Sequence, residues 1–259
     1  MSILGFGTAT AITDTDMALL ADELDCHPAN LEAIAMVESQ GFGWFKDGRM
    51  KILDEKHWFY KLVDPSQRKR AVTLGLARKK WVSPKNGGYK DQATADQRYN
   101  ILAKQIEIDP SAAFSSISMG KFQIMGFNHK ICGYISPGSM FHSFLESEVN
   151  QLAAFANFLK GKGLVNALRN GDFETVEFVY NGGGLGGTYA RRMREAARDL
   201  RDGKWSDYTR GSRLPRDDEP KKETSVHRPV KKIPAPPASG SILSTLIEYI
   251  VTLILGRRW

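Results

Sequence analysis

The chain has 259 residues, 42% of them apolar, which is enough for one sizeable core with room for a tail. Its net charge of +7 is unevenly spread: residues 1–200 hold 24 Lys+Arg against 22 Asp+Glu, and residues 201–259 hold 12 against 7. The body is near neutral and the excess sits in the last fifth, which excludes a nucleic-acid-binding domain as the main body and points to a polyanion-seeking tail. Two cysteines, Cys26 and Cys132, without Cys-x-x-Cys spacing, and five histidines without a His-Glu-x-x-His pair predict no metal site, no cofactor and reduced core thiols.

The first residues lack a positive n-region and a sustained apolar core, and so make a poor secretory signal. Residues 14–24 read as a helix capped by Thr13 or Asp14, with Met17, Leu20 and Leu24 on one stripe. A second helix runs from Pro28 towards Gly41, since Pro suits the first turn and Gly suits the stop. Leu31, Ile34 and Ala35 form its apolar face, and Glu38 is the next position on that stripe. A carboxyl ending a buried stripe is partly desolvated, which favours its protonated form and suits a proton donor near neutral pH. The alternative is a glutamate turned out to solvent at the helix end.

Asp47-Gly48 between short apolar segments predicts a hairpin, with Trp44 and Phe45 before the turn and Ile52 and Leu53 after it. That hairpin would bring Asp54 and Glu55 back towards the Glu38 helix. Residues 64–90 are basic and broken by Pro65, Pro84 and Gly87-Gly88, reading as a surface excursion with a short helix around 68–80. Its run Arg78-Lys79-Lys80 reads as a solvated face. A helix is expected over 96–107, with Tyr99, Leu102 and Ile106 on one side. Gly120 and Gly126 are expected to bracket a short helical turn containing Gln123, where backbone can approach a ligand closely. Residues 141–160 read as one long amphipathic helix, 173–180 as another, and 189–199 as a basic closing helix. The Gly-rich run 182–187 follows no strand and lacks a Gly-Lys-Ser/Thr ending, so it is not a phosphate cradle.

Residues 203–240 form a basic, Pro-rich linker. Residues 241–259 read as a short apolar helix with an Arg/Trp end. Its apolar stretch is too short to span a bilayer and is suited to lying in a membrane or lipopolysaccharide interface; folding back on the domain is the alternative.

Four blocks then carry a resemblance. Ala33-Ile-Ala-Met-Val-Glu38-Ser-Gln-Gly41, Lys51-Ile-Leu-Asp-Glu55-Lys-His57-Trp-Phe59, Ser118-Met-Gly-Lys-Phe-Gln123-Ile-Met-Gly-Phe-Asn128 and Tyr180-Asn181-Gly182 occur in the order found in the N-acetylmuramidase domain of phage endolysins. The chain resembles that family over roughly residues 10–200. The resemblance implies a mainly α, lysozyme-like domain over 1–202, with a small β-hairpin after the catalytic helix. It implies hydrolysis of the β-1,4 bond between N-acetylmuramic acid and N-acetylglucosamine in peptidoglycan.

By the same resemblance Glu38 matches the family's catalytic glutamate, and Glu55 matches the second block where Asp54 departs from it: the family usually has Phe at that place. Gln123, Tyr180, Asn181 and His57 stand in blocks that line or flank the cleft. From position alone, Trp44 or Trp58 could stack on sugar rings, with core packing as the competing role. Asp47, Asp54 and Glu55 are the candidates for a second carboxylate, with turn or ion-pair roles as alternatives. A lytic transglycosylase on the same fold, or a non-catalytic wall-binding or membrane-lytic protein, are the rival functions. The expected partner is peptidoglycan rather than nucleic acid, the expected state a monomer, and the expected site of action the periplasm and wall after synthesis in the host cytoplasm.

Overall fold

The computed structural model describes residues 4–39, 41–181 and 186–211, which belong to one compact unit, Met1–Leu214. Of the expected linker over 203–240, residues 212–240 lie outside the described residues, as do the whole end helix expected over 241–259 and most of the Gly-rich run 182–187.

The centre of the molecule is α2, Pro28–Ser39. Leu31, Ile34 and Ala35 are fully buried as the stripe predicts, but so are Ala29 and Ala33, and Asn30 is nearly so. A helix buried on more than one face needs small side chains for close approach, and three alanines supply them. Asn30 pays no penalty in the core, because its Nδ2 donates to Leu168 O at 2.7 Å and its Oδ1 accepts from Arg201 at 3.1 Å. Removing a side chain such as Leu31 or Ile34 costs about 2–5 kcal/mol in such a setting.

Around α2 the chain runs in order. Helix α1, Asp14–Leu24, is set by a capping box between Thr13 and Asp16 and packs on α2. After α2, Gly41 at φ +79° sends its N–H back to Ala35 O at 3.1 Å and ends the helix. Asp47-Gly48 does form a turn: Phe45 N donates to Arg49 O at 2.8 Å, and Trp44 bridges Met50. The strand that follows, β1 (Ile52–Asp54), pairs elsewhere, however, as described below. Helix α3, Lys56–Leu62, starts at Glu55. The helix expected over 68–80 is only α4, Arg68–Thr73, because Gly75 at φ +71° turns the chain. Helix α5, Ala95–Ile106, has a Thr94/Gln97 capping box, and α6, Pro110–Ser115, begins at Asp109.

The expected helical turn at 120–126 is instead a β-hairpin. Strands β2 (Ile117–Met119) and β3 (Ile124–Met125) complete an antiparallel sheet of order β1-β2-β3, with Ile52 opposite Met119 and Asp54 opposite Ile117. Both bracketing glycines are required by space. A Cβ on Gly126 would sit 1.9 Å from Phe114 O, and one on Gly120, at φ +74°, would sit 2.5 Å from Gln151 Oε1. The outer edge of β1 is sealed by side chains rather than a fourth strand. Gln92, itself buried, accepts from Asp54 N at 2.8 Å and donates to Asp54 O at 2.9 Å, and Arg98 donates to Ile52 O at 2.7 Å.

The single helix expected over 141–160 is two: α7, Pro137–Glu146, and α8, Glu148–Gly161. Ser147 is extended, at φ −167° and ψ 158°, and its hydroxyl caps Asn150 N, so the apolar period continues across a break. Helices α9 (Val165–Asn170) and α10 (Phe173–Asn181) follow. Helix α11, Thr188–Asp202, lays Ala190, Met193 and Ala197 against α2. The packed body continues past 202: Trp205 is buried, donates to Glu32 at 2.7 Å, and Tyr208 donates to Asp22 at 2.5 Å. Cys26 and Cys132 are buried free thiols, each pushed up to about 12 by burial.

Candidate active site

Glu38 stands in the last turn of α2 and is partly buried. Two tyrosines from the closing helices lie near enough to feel its charge: Tyr180 of α10 and Tyr189 of α11. The phenols of both are raised above their usual range, first by burial and next by the negative charge of Glu38. The Tyr180 ring is partly exposed, but its hydroxyl turns inward and donates to Phe122 O at 2.5 Å. Phe158 meets that ring edge-on at 5.2 Å. Tyr189 is placed by a buried carboxylate, Glu177 of α10, which accepts from Gly187 N at 3.0 Å and Ala190 N at 2.6 Å and thereby caps the start of α11. The Asn181 side chain lies outside the described ones.

The chain just after Glu38 is anchored by a group that the sequence reading passed over. Glu148, at the start of α8 and 2% exposed, accepts from Gly43 N at 2.9 Å, Ile12 N at 3.2 Å and Lys121 Nζ at 3.2 Å. Lys121 Nζ also donates to Gly41 O at 2.5 Å, while Gln151 Oε1 accepts from Lys121 N at 2.7 Å. A buried carboxylate with three donors is satisfied, and it ties the C-terminal end of α2 to the β2–β3 turn. A glutamate three residues after an aromatic-rich stripe carries no visible sign of this in the sequence.

Gln123 lies in that turn, at φ +47°. Its amide is used across the hairpin: Oε1 accepts from Ser118 Oγ at 3.0 Å and Nε2 donates to Gly120 O at 2.8 Å. Trp44 is partly buried and packs against the core, with an indole N–H that meets no acceptor.

The hairpin carboxylates fall into three different environments. Asp47 is held by Arg49, whose hydrogen bond keeps its carboxyl below the usual carboxylate range, and Arg49 also reaches Asp96 at 2.6 Å. Asp54 is fully buried and desolvation pushes it up to about 7. Neither of its oxygens meets a donor, and Gln105 Oε1 is likewise without one. The Gln105 amide is within reach of Asp54, and one of its two N–H bonds goes to Leu76 O at 2.9 Å. An ionised Asp54 can accept only the other N–H, whereas a protonated Asp54 can itself donate to Gln105 Oε1. Burial thus favours the neutral form of the acid at this core position.

Glu55 points the other way. Its two oxygens lie 2.9 Å from the Tyr89 hydroxyl, which donates to them, and His57 Nδ1 is 3.2 Å from Oε2. A shallow recess opens here, lined by Glu55, His57, Arg78, Trp81 and Tyr89 among others; Glu38 does not line it. The strand sets the offset between the two carboxylates. Lys51 O accepts from Gly120 N at 2.8 Å at one end of the pairing, and Glu55 N donates to Ser116 O at 3.0 Å at the other. The α2 end belongs to the Lys51 side, since Lys51 N donates to Gly43 O at 2.8 Å. Lys51 to Glu55 is a run of roughly 13 Å at about 3.3 Å per residue.

Among the described residues no group of His, Cys, Asp and Glu has the arrangement to hold a metal ion, and no helix is long and apolar enough to cross a membrane. No curated protein matches the sequence. Among solved structures, the crystal structure of the Burkholderia AP3 phage endolysin is 30% identical, with a TM-score of 0.62, over 78% of this chain and 76% of that one. The N-acetylmuramidase family model matches residues 27–201, a stretch that contains Glu38, Glu55, Gln123 and Tyr180, and with two thirds of its length so matched this chain belongs to the N-acetylmuramidase family.

Proposed function

We propose that the chain cleaves the β-1,4 bond between N-acetylmuramic acid and N-acetylglucosamine, with Glu38 as general acid. Membership of the family makes it a peptidoglycan-degrading glycoside hydrolase; the bond and the roles of the residues are our reading. The observation that carries it is the setting of Glu38: a carboxyl at the end of the most buried helix, partly shielded, with two phenols near enough to feel its charge. In the proposed step a protonated Glu38 delivers its proton to the bridging oxygen as an oxocarbenium-like state develops. Glu55 is the second carboxylate. Its distance from Glu38 decides between a base acting through a water, at about 6.5–9.5 Å, and a nucleophile, at about 5 Å.

The four family blocks, read with this placement, give Gln123 and Tyr180 the role of shaping the cleft wall beside Glu38, with Asn181 and His57 as further substrate contacts; Trp44, outside the blocks, would add a contact from its place before the turn. The chain would act as a monomer on the wall after synthesis in the cytoplasm, and residues 241–259 would engage anionic membrane or lipopolysaccharide.

Mass spectrometry of the fragments released from purified peptidoglycan tests the reaction. Reducing N-acetylmuramic acid ends are expected. Fragments ending in 1,6-anhydro-muramic acid would assign a lytic transglycosylase instead. Deleting residues 241–259 should leave that release intact while reducing lysis of whole Gram-negative cells.

A further inference from the structure

Outside the four family blocks, one stretch is built around Glu55. The basic excursion is not a loose surface loop at its second half. Arg78 N donates to Lys56 O at 3.2 Å and Arg78 Nη2 to Gly88 O at 2.6 Å. Gly88 N donates to Ser83 O at 3.0 Å, and a Cβ at Gly88 would lie 2.0 Å from Val82 O, so the segment folds tightly on itself. Lys56 fastens the far side, with Nζ 2.6 Å from Gly75 O and in an ion pair with Asp91.

This frame holds a chain of three side chains. Trp81 Nε1 donates to the Tyr89 hydroxyl at 3.0 Å, and that hydroxyl donates its one proton to Glu55 at 2.9 Å. Trp81 is 54% exposed, unusual for the residue type. Its only polar atom is spent on Tyr89, so all it can offer a ligand is the face of its indole ring. A cationic ligand is disfavoured there, because Lys79, Lys80 and Arg78 precede it directly. What fits is a ring with an apolar C–H face and a polar rim, able to lie on Trp81 while a hydroxyl or amide N–H reaches Glu55. A saccharide has that chemistry, and one carrying carboxylates gains from the neighbouring cations.

We propose that Trp81 and Tyr89 complete a saccharide subsite beside Glu55: Trp81 stacks on a sugar ring of the glycan strand, and Tyr89 is the positioning residue that fixes the Glu55 carboxylate. The proposal rests on the muramidase reading above, since it takes the glycan strand as ligand. Sequence reasoning alone treated this stretch as solvated surface.

Binding and turnover are measured separately. Soluble, peptide-free glycan strands are titrated by calorimetry into the full chain carrying Glu38→Gln, which binds without cleaving. Adding Trp81→Ala should weaken binding about tenfold, the range for removing an aromatic anchor. Trp81→Phe, which keeps a ring face, should stay within about threefold, and Trp81→Leu, which keeps bulk without a ring, should weaken binding as Ala does. Tyr89→Phe in the otherwise unmodified chain should lower kcat about tenfold with KM little changed, because it loosens Glu55 without removing the stacking face. Binding by Trp81→Leu and Trp81→Ala equal to the parent overturns the subsite, as does an unchanged kcat in Tyr89→Phe. Continued turnover in Glu38→Gln would instead strike at the assignment of the acid and leave the binding comparison readable.

Discussion

Glu38 and Glu55 are held by different kinds of structure. Glu38 is carried by the most buried helix, with side chains from α10 and α11 near it, so its surroundings are fixed by long-range packing of the core. Glu55 sits where β1 meets α3, and its partner Tyr89, with Trp81 bonded behind it, comes from a loop that carries one short 3-10 turn, Pro84–Asn86. The first site is supported by the core and the second by a folded loop. The difference teaches where each can be broken: damage to the core reaches Glu38 with a loss of stability, whereas damage to the loop reaches Glu55 with little.

Substitutions can sharpen that contrast. The largest stability effect is expected from Glu148→Ala, which takes the acceptor from the N–H groups of Gly43 and Ile12 and removes the charge paired with Lys121. A loss of about 3–5 kcal/mol is typical when one partner of a buried pair is removed. Thermal unfolding should show a fall of roughly 10 °C at about 2–4 °C per kcal/mol, with activity failing together with the fold.

Asp54→Asn gives the next effect, and it depends on pH. The folded carboxyl titrates at about 7 against 3.8 in the unfolded chain. A raised acid contributes stability that is fully present below the unfolded value and is lost as pH rises through the folded one. Between pH 5 and pH 8 the unmodified protein should therefore lose about 3 kcal/mol from this group, at 1.36 kcal/mol per pH unit. Asparagine can donate to Gln105 Oε1 at any pH, so the variant should gain on the parent by that amount over the same range. Denaturant unfolding at the two pH values reads it. A constant difference between the two proteins would mean that Asp54 is not a neutral core acid.

Tyr180→Phe removes one partly buried hydrogen bond to Phe122 O and should cost about 1 kcal/mol in a urea titration. Asp47→Ala should be smallest. Its ion pair with Arg49 is largely at the surface, Arg49 keeps Asp96, and a change within about 1 kcal/mol is expected with activity unaltered. A large activity loss in Asp47→Ala would place the turn of the hairpin in the cleft and undo the contrast between the two sites.

Much of the helical frame was legible from local signals. Thr13, Pro28 and Gly41 mark helix ends through caps and turns that act within a few residues, and α1 and α2 sit where those signals put them; α5 falls one residue from the expected 96–107, on its apolar period. The apolar period fails where a break preserves it: Ser147 interrupts 141–160 without disturbing the stripe. The sheet was hidden because β2 and β3 have three and two residues, too short for an alternation to register, while their glycines read as a turn. Glu38 was visible as a carboxyl on an apolar stripe. Its surroundings were not, since Glu148, Glu177 and Tyr189 belong to elements over a hundred residues away in the chain. Tyr89 and Trp81 were masked by the lysines and glycines around them, which look like solvated loop until the fold lays them over Glu55.

The central claim is that Glu38 supplies the proton for glycoside cleavage. Release of new reducing ends from purified peptidoglycan by Glu38→Gln, with the fold confirmed by an unchanged thermal midpoint, tests it directly. General acid catalysis predicts a fall of about 100- to 10,000-fold; release at the rate of the unmodified chain would contradict the assignment.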